Sequence, residues 1–445
     1  MKRSHPVLWT IAIVLIIVLS IAAYLVFSPT AMDFAGRHRV ALQNYSGPGP
    51  SGVPPELTSA SLIGKGEYLT HAADCMVCHT ARSGVPFAGG RAFVLPFGTI
   101  YSTNITPDPE TGIGKYSDQN FLDAVHKGVG REGTRLYPAM PYTSYTLMSD
   151  EDALAIKAYL FSLKPVRAPP RANTLIFPFN QRFLMAFWSA FFNPDRRFEP
   201  HTDRSPTWNR GAYLVEAMGH CGECHTPRNI GMALNNRRKF AGAVQGGWLA
   251  YNITPDRSAG IGAWSDDELA HYLSSGHADG RGTASGPMGE AVDESLSRLS
   301  ASDIDAIVQY LRTVPAERSP NLSAPRTQAA SESFADDDIS NLRGKAVYEG
   351  ACAGCHGWSG VSPSLATATL IGTRAINDPQ GNNVAQVILR GGERHTTDSA
   401  VYMPEFGSAY SDSEIASVAN FVTERFGAQG SNLTAPDIVK MRAAD

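Results

Sequence analysis

The longest apolar run lies at the front of the chain. Val7 to Phe27 is 21 residues without a charge, enough to cross the hydrocarbon core of a bilayer as a helix. Lys2 and Arg3 precede it, which keeps the N-terminus cytoplasmic and sends the rest outward. The run predicts a single N-terminal transmembrane anchor over 1–28, with the remainder on the periplasmic side of the inner (cytoplasmic) membrane. A signal peptide cleaved near Ser20-Ile21-Ala22 is the alternative, although the run is longer than a usual signal core. Both readings export the remainder of the chain.

Further on, apolar positions recur at helical spacing in short blocks behind serine caps. Ser149 leads into Ala153 to Leu163, with apolar residues at Leu154, Ala158 and Phe161. Ser300 leads into Asp303 to Leu311, and Ser411 into Glu414 to Phe426. Gly66-Glu67-Tyr68-Leu69 and Gly211-Ala212-Tyr213-Leu214 open two more helices upstream. One stretch is strongly aromatic: seven of the 25 Phe and Trp residues fall within the 16 positions from Phe177 to Phe192. It reads either as a linker helix packed in a groove between domains, or as a patch that touches lipid or a partner and borders a quinone site. Arg318 to Phe334, rich in Ser, Ala and Pro, reads as spacer.

Composition narrows the picture. A chain of 445 residues suggests two to four domains. The net charge of −4 and the lack of a long basic run argue against nucleic acid as a partner. With 41 Gly and 29 Pro, short helices joined by shaped loops are favoured over a sheet-dominated core.

The six cysteines form three pairs, each followed by histidine: Cys75-Met76-Val77-Cys78-His79, Cys221-Gly222-Glu223-Cys224-His225 and Cys352-Ala353-Gly354-Cys355-His356. This is the c-type haem attachment pattern. The two thiols add to the porphyrin vinyl groups, and the adjoining imidazole gives its nitrogen to iron. A zinc knuckle or a redox dithiol does not need histidine next in line every time. The spacing therefore predicts three covalently bound haem c groups, with His79, His225 and His356 as iron ligands.

The first two segments repeat each other. Asn104-Ile105-Thr106-Pro107-Asp108 recurs as Asn252-Ile253-Thr254-Pro255-Asp256, and Gly128 recurs as Gly276, both offset by 148. The same offset carries Met140 onto Met288 and predicts both as sixth ligands, since a thioether suits haem iron. The competing histidines, His126 and His271, do not share this register. In the third segment Met403, within Tyr402-Met403-Pro404, takes the role by default. Pro141, Pro287 and Pro404 flank the three methionines and suggest stiff loops. Gly128-Val129-Gly130-Arg131-Glu132-Gly133 matches a dinucleotide fingerprint by letter only; it follows a helix, not a strand, and reads as a loop near the porphyrin.

Taken together with Tyr101-Ser102-Thr103-Asn104-Ile105-Thr106-Pro107-Asp108, Leu136-Tyr137-Pro138-Ala139-Met140-Pro141-Tyr142 and His220 to Arg228, these motifs resemble the three-haem cytochrome c subunit of periplasmic membrane-bound dehydrogenases acting on alcohols, gluconate, sorbitol or aldehydes. The likeness covers about Ser61 to Gly427. It implies a mainly α fold, with three cytochrome c-like haem domains in tandem over 61–166, 207–317 and 335–427, joined by an aromatic linker over 167–206 and a spacer over 318–334. It also implies that a separate catalytic subunit oxidises the substrate and that electrons leave through the haems to ubiquinone. Gly286-Pro287-Met288-Gly289-Glu290-Ala291-Val292 leans toward a molybdopterin aldehyde dehydrogenase with a small iron–sulfur subunit, over pyrroloquinoline-quinone alcohol or flavin sugar dehydrogenases. A free-standing relay to an oxidase is the alternative, and a peroxidase would need an iron with an open position. No substrate-oxidising residues are expected in this chain.

Overall fold

Three helices recur in the same order around each cysteine motif. A leading helix (Leu62–Ala72, Pro206–Tyr213, Leu342–Ala351) runs toward the motif. A middle helix follows (Asp118–Lys127, Asp266–Ser275, Asn382–Arg390), then a closing helix (Asp150–Ser162, Ala301–Leu311, Asp412–Phe426). This computed structural model describes residues 9–13, 15–16, 20, 24, 29–319, 322, 324–331, 341–395 and 400–443.

Caps set the starts of the closing helices. Ser149, Ser300 and Ser411 accept hydrogen bonds from the backbone N–H groups of Asp152, Asp303 and Glu414, so each helix begins directly after its serine. The glycines expected to open the leading helices lie inside them instead, behind caps at Ser61 and Ser205. They serve a crossing. A Cβ on Gly66, Gly211 or Gly344 would run into the carbonyl oxygen of Ala155, Ala306 or Ser417 on the closing helix. Glycine costs a helix about 0.5–1 kcal/mol relative to alanine, and the close backbone approach offsets this. Ala155, which Gly66 approaches, lies on the buried face of the first closing helix. That apolar face is Ala153, Ala155, Ile156 and Leu160 rather than Leu154, Ala158 and Phe161.

Four two-stranded antiparallel hairpins occur among the described residues: Ala92–Leu95 with Gly98–Tyr101, Ala243–Gln245 with Trp248–Ala250, His277–Ala278 with Gly282–Thr283, and Gly392–His395 with Ala400–Met403. Strands of two to four residues carry too short an alternation to be read from sequence.

The first two segments share one hydrophobic core, from Met32 to Val314, while the third packs around a separate core from Tyr348 to Met441. A reciprocal pair of bonds joins the first two. The Tyr68 hydroxyl donates to Asp303 Oδ2 at 2.6 Å and accepts from the Ser300 N–H. The Tyr213 hydroxyl donates to Asp152 Oδ2 at 2.6 Å and accepts from the Ser149 N–H. Arg210 adds a two-pronged ion pair to Asp303 at 2.8 and 2.6 Å. Tyr213→Phe leaves a buried carboxylate and a buried N–H short of partners, so a loss of about 1–3 kcal/mol in urea unfolding is expected.

Residues 29–57 form a strap across this junction. Val40 N–H donates to the Pro200 carbonyl, Gly52 N–H to Asp152 Oδ2, and Arg210 to the carbonyls of Pro50 and Gly52. The aromatic stretch contains a helix, Leu184–Phe192. One face packs inward, with Trp188 Nε1 donating to the Gly231 carbonyl at 2.7 Å. The other faces out, with Phe183, Phe187 and Phe191 at 62, 65 and 61% exposure. Beyond the third segment, Ala435–Ala443 is helical and buries Ile438 and Met441 against that segment's core.

The N-terminal anchor requires correction. Among the described residues no helix is long and apolar enough to cross a membrane. Most of 7–27 lies outside the described residues, and the helical residues described there, such as Trp9, Ile13 and Ile16, do not amount to a span. An uncharged run sets a capacity to span and nothing more, so the single-anchor placement in the inner membrane is withdrawn.

Candidate functional site

The three histidines are held alike. His79 Nδ1 lies 2.7 Å from the Thr103 carbonyl, His225 Nδ1 lies 2.6 Å from the Tyr251 carbonyl, and His356 Nδ1 lies 2.6 Å from the Ala368 carbonyl. A carbonyl can only accept, so Nδ1 carries the proton and Nε2 keeps its lone pair. That is the tautomer a metal-binding imidazole needs, oriented by an outer hydrogen bond. Burial pulls all three imidazoles below their usual range, which holds them neutral. Thr103 and Tyr251 stand 148 residues apart, in the register of the repeat.

All six cysteines are free of disulfides. Burial pushes the Cys75, Cys78 and Cys221 thiols up to about 12, and those of Cys224 and Cys352 up to about 11. Such thiols are poor thiolates and do not suit a redox dithiol. Among the described residues no group of three or more His, Cys, Asp or Glu side chains is arranged to hold a metal ion, so no cysteine pair is completed into a zinc site. The donor set, two free thiols, the first of each pair partly buried, and one neutral imidazole with a free Nε2, fits a covalently attached haem.

The methionines sit on three different local structures. Met140 ends a turn ahead of a short helix, Tyr142–Tyr145. Met288 lies in the first turn of the Gly286–Glu294 helix, and Met403 is the last residue of a strand. Only the first is therefore presented from a loop. Their common feature lies upstream, where each middle helix ends at a glycine with positive φ: Gly128 (63°), Gly276 (74°) and Gly391 (67°). Met140, Met288 and Met403 each follow their glycine by twelve residues. This register links the third segment to the other two, and the sequence reading missed it because the third segment lacks the 148-residue offset. Met140 and Met288 pack partly buried on the first core with Cys75 and Cys221, and Met403 packs on the second with Cys352.

Of the rival histidines, one is engaged elsewhere and the other faces outward. The buried His126 ring meets the Tyr145 carbonyl at 2.9 Å and Asp150 Oδ1 at 3.3 Å. His271 is exposed on its helix.

The sites are interlocked. Glu223, inside the second motif, accepts from Thr143 Oγ1 at 3.0 Å and Ser144 Oγ at 3.4 Å, just beyond Met140. Arg91 donates to the Val77 carbonyl, inside the first motif, at 2.9 Å and to Glu290 Oε2, two residues beyond Met288, at 2.6 Å. Cys224 lies close enough to Cys78 to help push its thiol up. Before the first cysteine of each of these two motifs stands a residue with positive φ, Asp74 (53°) or His220 (38°). Burial pushes the Asp74 carboxyl well above the usual range.

Comparison with known proteins gives the class. The family profile described as cytochrome c matches residues 209–315 and 342–425. The chain belongs to the family of cytochrome c subunits of dehydrogenases. It is 38% identical to the gluconate 2-dehydrogenase cytochrome c subunit of Pantoea cypripedii, over 86% of this chain and 90% of that protein. It is 39% identical to the fructose dehydrogenase cytochrome subunit of Gluconobacter japonicus, over 88% and 85%. It is also 42% identical to a nicotinate dehydrogenase subunit of Pseudomonas putida, over 83% of this chain but only 31% of that relative's length.

Proposed function

We propose that this chain is the electron-transfer subunit of a dehydrogenase complex and carries three covalently bound haem c groups, one in each of three units at about 61–166, 207–317 and 335–427. The observation that carries the reading is the matched set of three neutral imidazoles, each with Nδ1 on a backbone carbonyl and each beside a cysteine pair. Cys75 and Cys78, Cys221 and Cys224, and Cys352 and Cys355 would hold the porphyrins. His79, His225 and His356, together with Met140, Met288 and Met403, would ligate the irons. The haem supplies a one-electron couple. The residues of the chain orient it, exclude water and set its potential.

In this reading a catalytic subunit oxidises its substrate and hands electrons to the haems, and ubiquinone takes them away. The name of the Pseudomonas relative, a nicotinate dehydrogenase subunit, favours a nicotinate-oxidising partner, and the Gly286 to Val292 stretch favours a molybdopterin aldehyde-oxidising partner with a small iron–sulfur subunit. The names of the other two favour a gluconate- or fructose-oxidising partner. The exposed Phe183, Phe187 and Phe191 row supports contact with membrane lipid. Isolation of the native complex tests this reading. A co-purifying dehydrogenase whose substrate reduces the haems supports it, and a chain that purifies alone and is reduced only by other cytochromes points to a free-standing relay.

Ligation gives a separate expectation. Met288→Ala lowers the potential of one haem and leaves the other two close to their starting values, because thioether ligation is what raises it. Potentiometric titration with visible detection measures this. An unchanged set of potentials would remove Met288 from the ligand set.

A further inference from the structure

The helix Gly286–Glu294 touches the machinery of all three candidate centres. It carries Met288 of the second. Two residues on, Glu290 meets Arg91, which also grips the Val77 carbonyl between Cys75 and Cys78 of the first. Three residues further, Asp293 meets Arg394 Nη2 at 2.6 Å and Nε at 3.1 Å. Arg394 stands on the Gly392–His395 strand, paired in register with the strand that ends in Met403 of the third centre. Its Nη2 also donates to the Ser275 carbonyl at 3.1 Å, at the end of the middle helix of the second segment. The Arg394 side chain is only 4% exposed, and its guanidinium lies where a Cβ on Gly276 would stand. Gly276 is the residue from which the twelve-residue run to Met288 begins.

We infer that Arg394, and Arg91 with it, are positioning residues for the Met288 sulfur: two ion pairs from neighbouring segments hold its helix at the second haem. This rests on the ligation reading above. The physical reason is burial. A nearly buried arginine held by a carboxylate and a helix-end carbonyl is costly to displace, so it fixes the angle of the helix it binds. Arg91–Glu290 is more exposed, at 29 and 45% for the two side chains, and is the weaker hold. Without the clamp the helix is free to rotate about its contact with the first core, and the sulfur leaves the iron.

The test uses the full-length holoprotein with Arg394→Ala, Arg394→Lys, Arg91→Ala, Met288→Ala and Met403→Ala. The sulfur-to-iron charge-transfer band and the potentiometric titration are the readouts. Arg394→Ala is expected to remove about one third of the band, as one of three thioether-ligated irons is lost, and to lower one potential in the manner of Met288→Ala. Arg394→Lys should restore part of the band, and Arg91→Ala should give the smaller change. If Met288→Ala moves one potential and the arginine variants leave band and potentials as they were, the clamp is wrong and the ligand assignment stands. If Arg394→Ala instead shifts the third centre, identified by comparison with Met403→Ala, the clamp is overturned in favour of a role confined to that hairpin. If Met288→Ala itself changes nothing, the ligation reading fails first.

Discussion

Replacing Cys352 and Cys355 together by alanine is expected to remove one of three covalently bound haems and leave a folded chain that keeps the other two. The reason is the division of the cores. Cys352 and Met403 pack against the cluster from Tyr348 to Met441, whereas Cys75, Cys221, Met140 and Met288 all pack against the cluster from Met32 to Val314. The same double change at Cys221 and Cys224 should be far more damaging. It empties a site whose motif is bonded through Glu223 to Thr143 and Ser144 and whose methionine helix is bonded to Arg91. Emptying a large aromatic site in a shared core costs upward of about 3–5 kcal/mol. The first segment should therefore lose protection as well. Haem-to-protein ratio and limited proteolysis measure both outcomes. Equal damage from the two double variants would mean that the three units are not divided as these cores divide them.

Gly211→Val is expected to be strongly destabilising although it lies outside the haem motifs. The added Cβ meets the carbonyl oxygen of Ala306 and the Tyr310 Cβ, neither of which can turn aside. Overpacking against backbone costs on the order of 3 kcal/mol. For a unit of this size that lowers the midpoint of thermal unfolding by roughly 6–12 °C. Gly350→Ala is the control. It lies in the third leading helix with nothing within 4 Å of its added Cβ, so a change of about 0.5–1 kcal/mol in the stabilising direction is expected. Both follow from scanning calorimetry or a thermal melt followed at the haem absorption.

The candidate haem-binding residues could be picked out in the sequence because the attachment pattern is contiguous: two thiols and an imidazole within five positions, three times over. The serine-capped closing helices were legible for the same reason, since a cap is a local interaction. What acts across the fold was not. No pattern in the sequence says that the carbonyls of Thr103, Tyr251 and Ala368 lie against the three imidazoles, or that Tyr68 and Tyr213 exchange aspartates between segments. The role of Gly66 and Gly211 was misread from the same limitation. A glycine at a helix crossing and a glycine at a helix start look alike until the second helix is in view. Met403 was assigned by default, and only the positive-φ glycine twelve residues upstream gives it the register of Met140 and Met288.

The membrane placement shows the opposite error. A long uncharged run satisfied the length criterion, and no helix able to cross a bilayer is found among the described residues. The exposed apolar surface that is described lies instead on the aromatic linker, where three phenylalanines stand four residues apart.

The most direct test of the whole account is the mass and spectrum of the denatured, chromatographed polypeptide. The account predicts a red chain heavier than its bare sequence by three haem groups, which acid–organic extraction does not remove because thioether bonds hold them. A colourless chain at the bare mass, or one that binds zinc at its cysteines and no porphyrin, would contradict it.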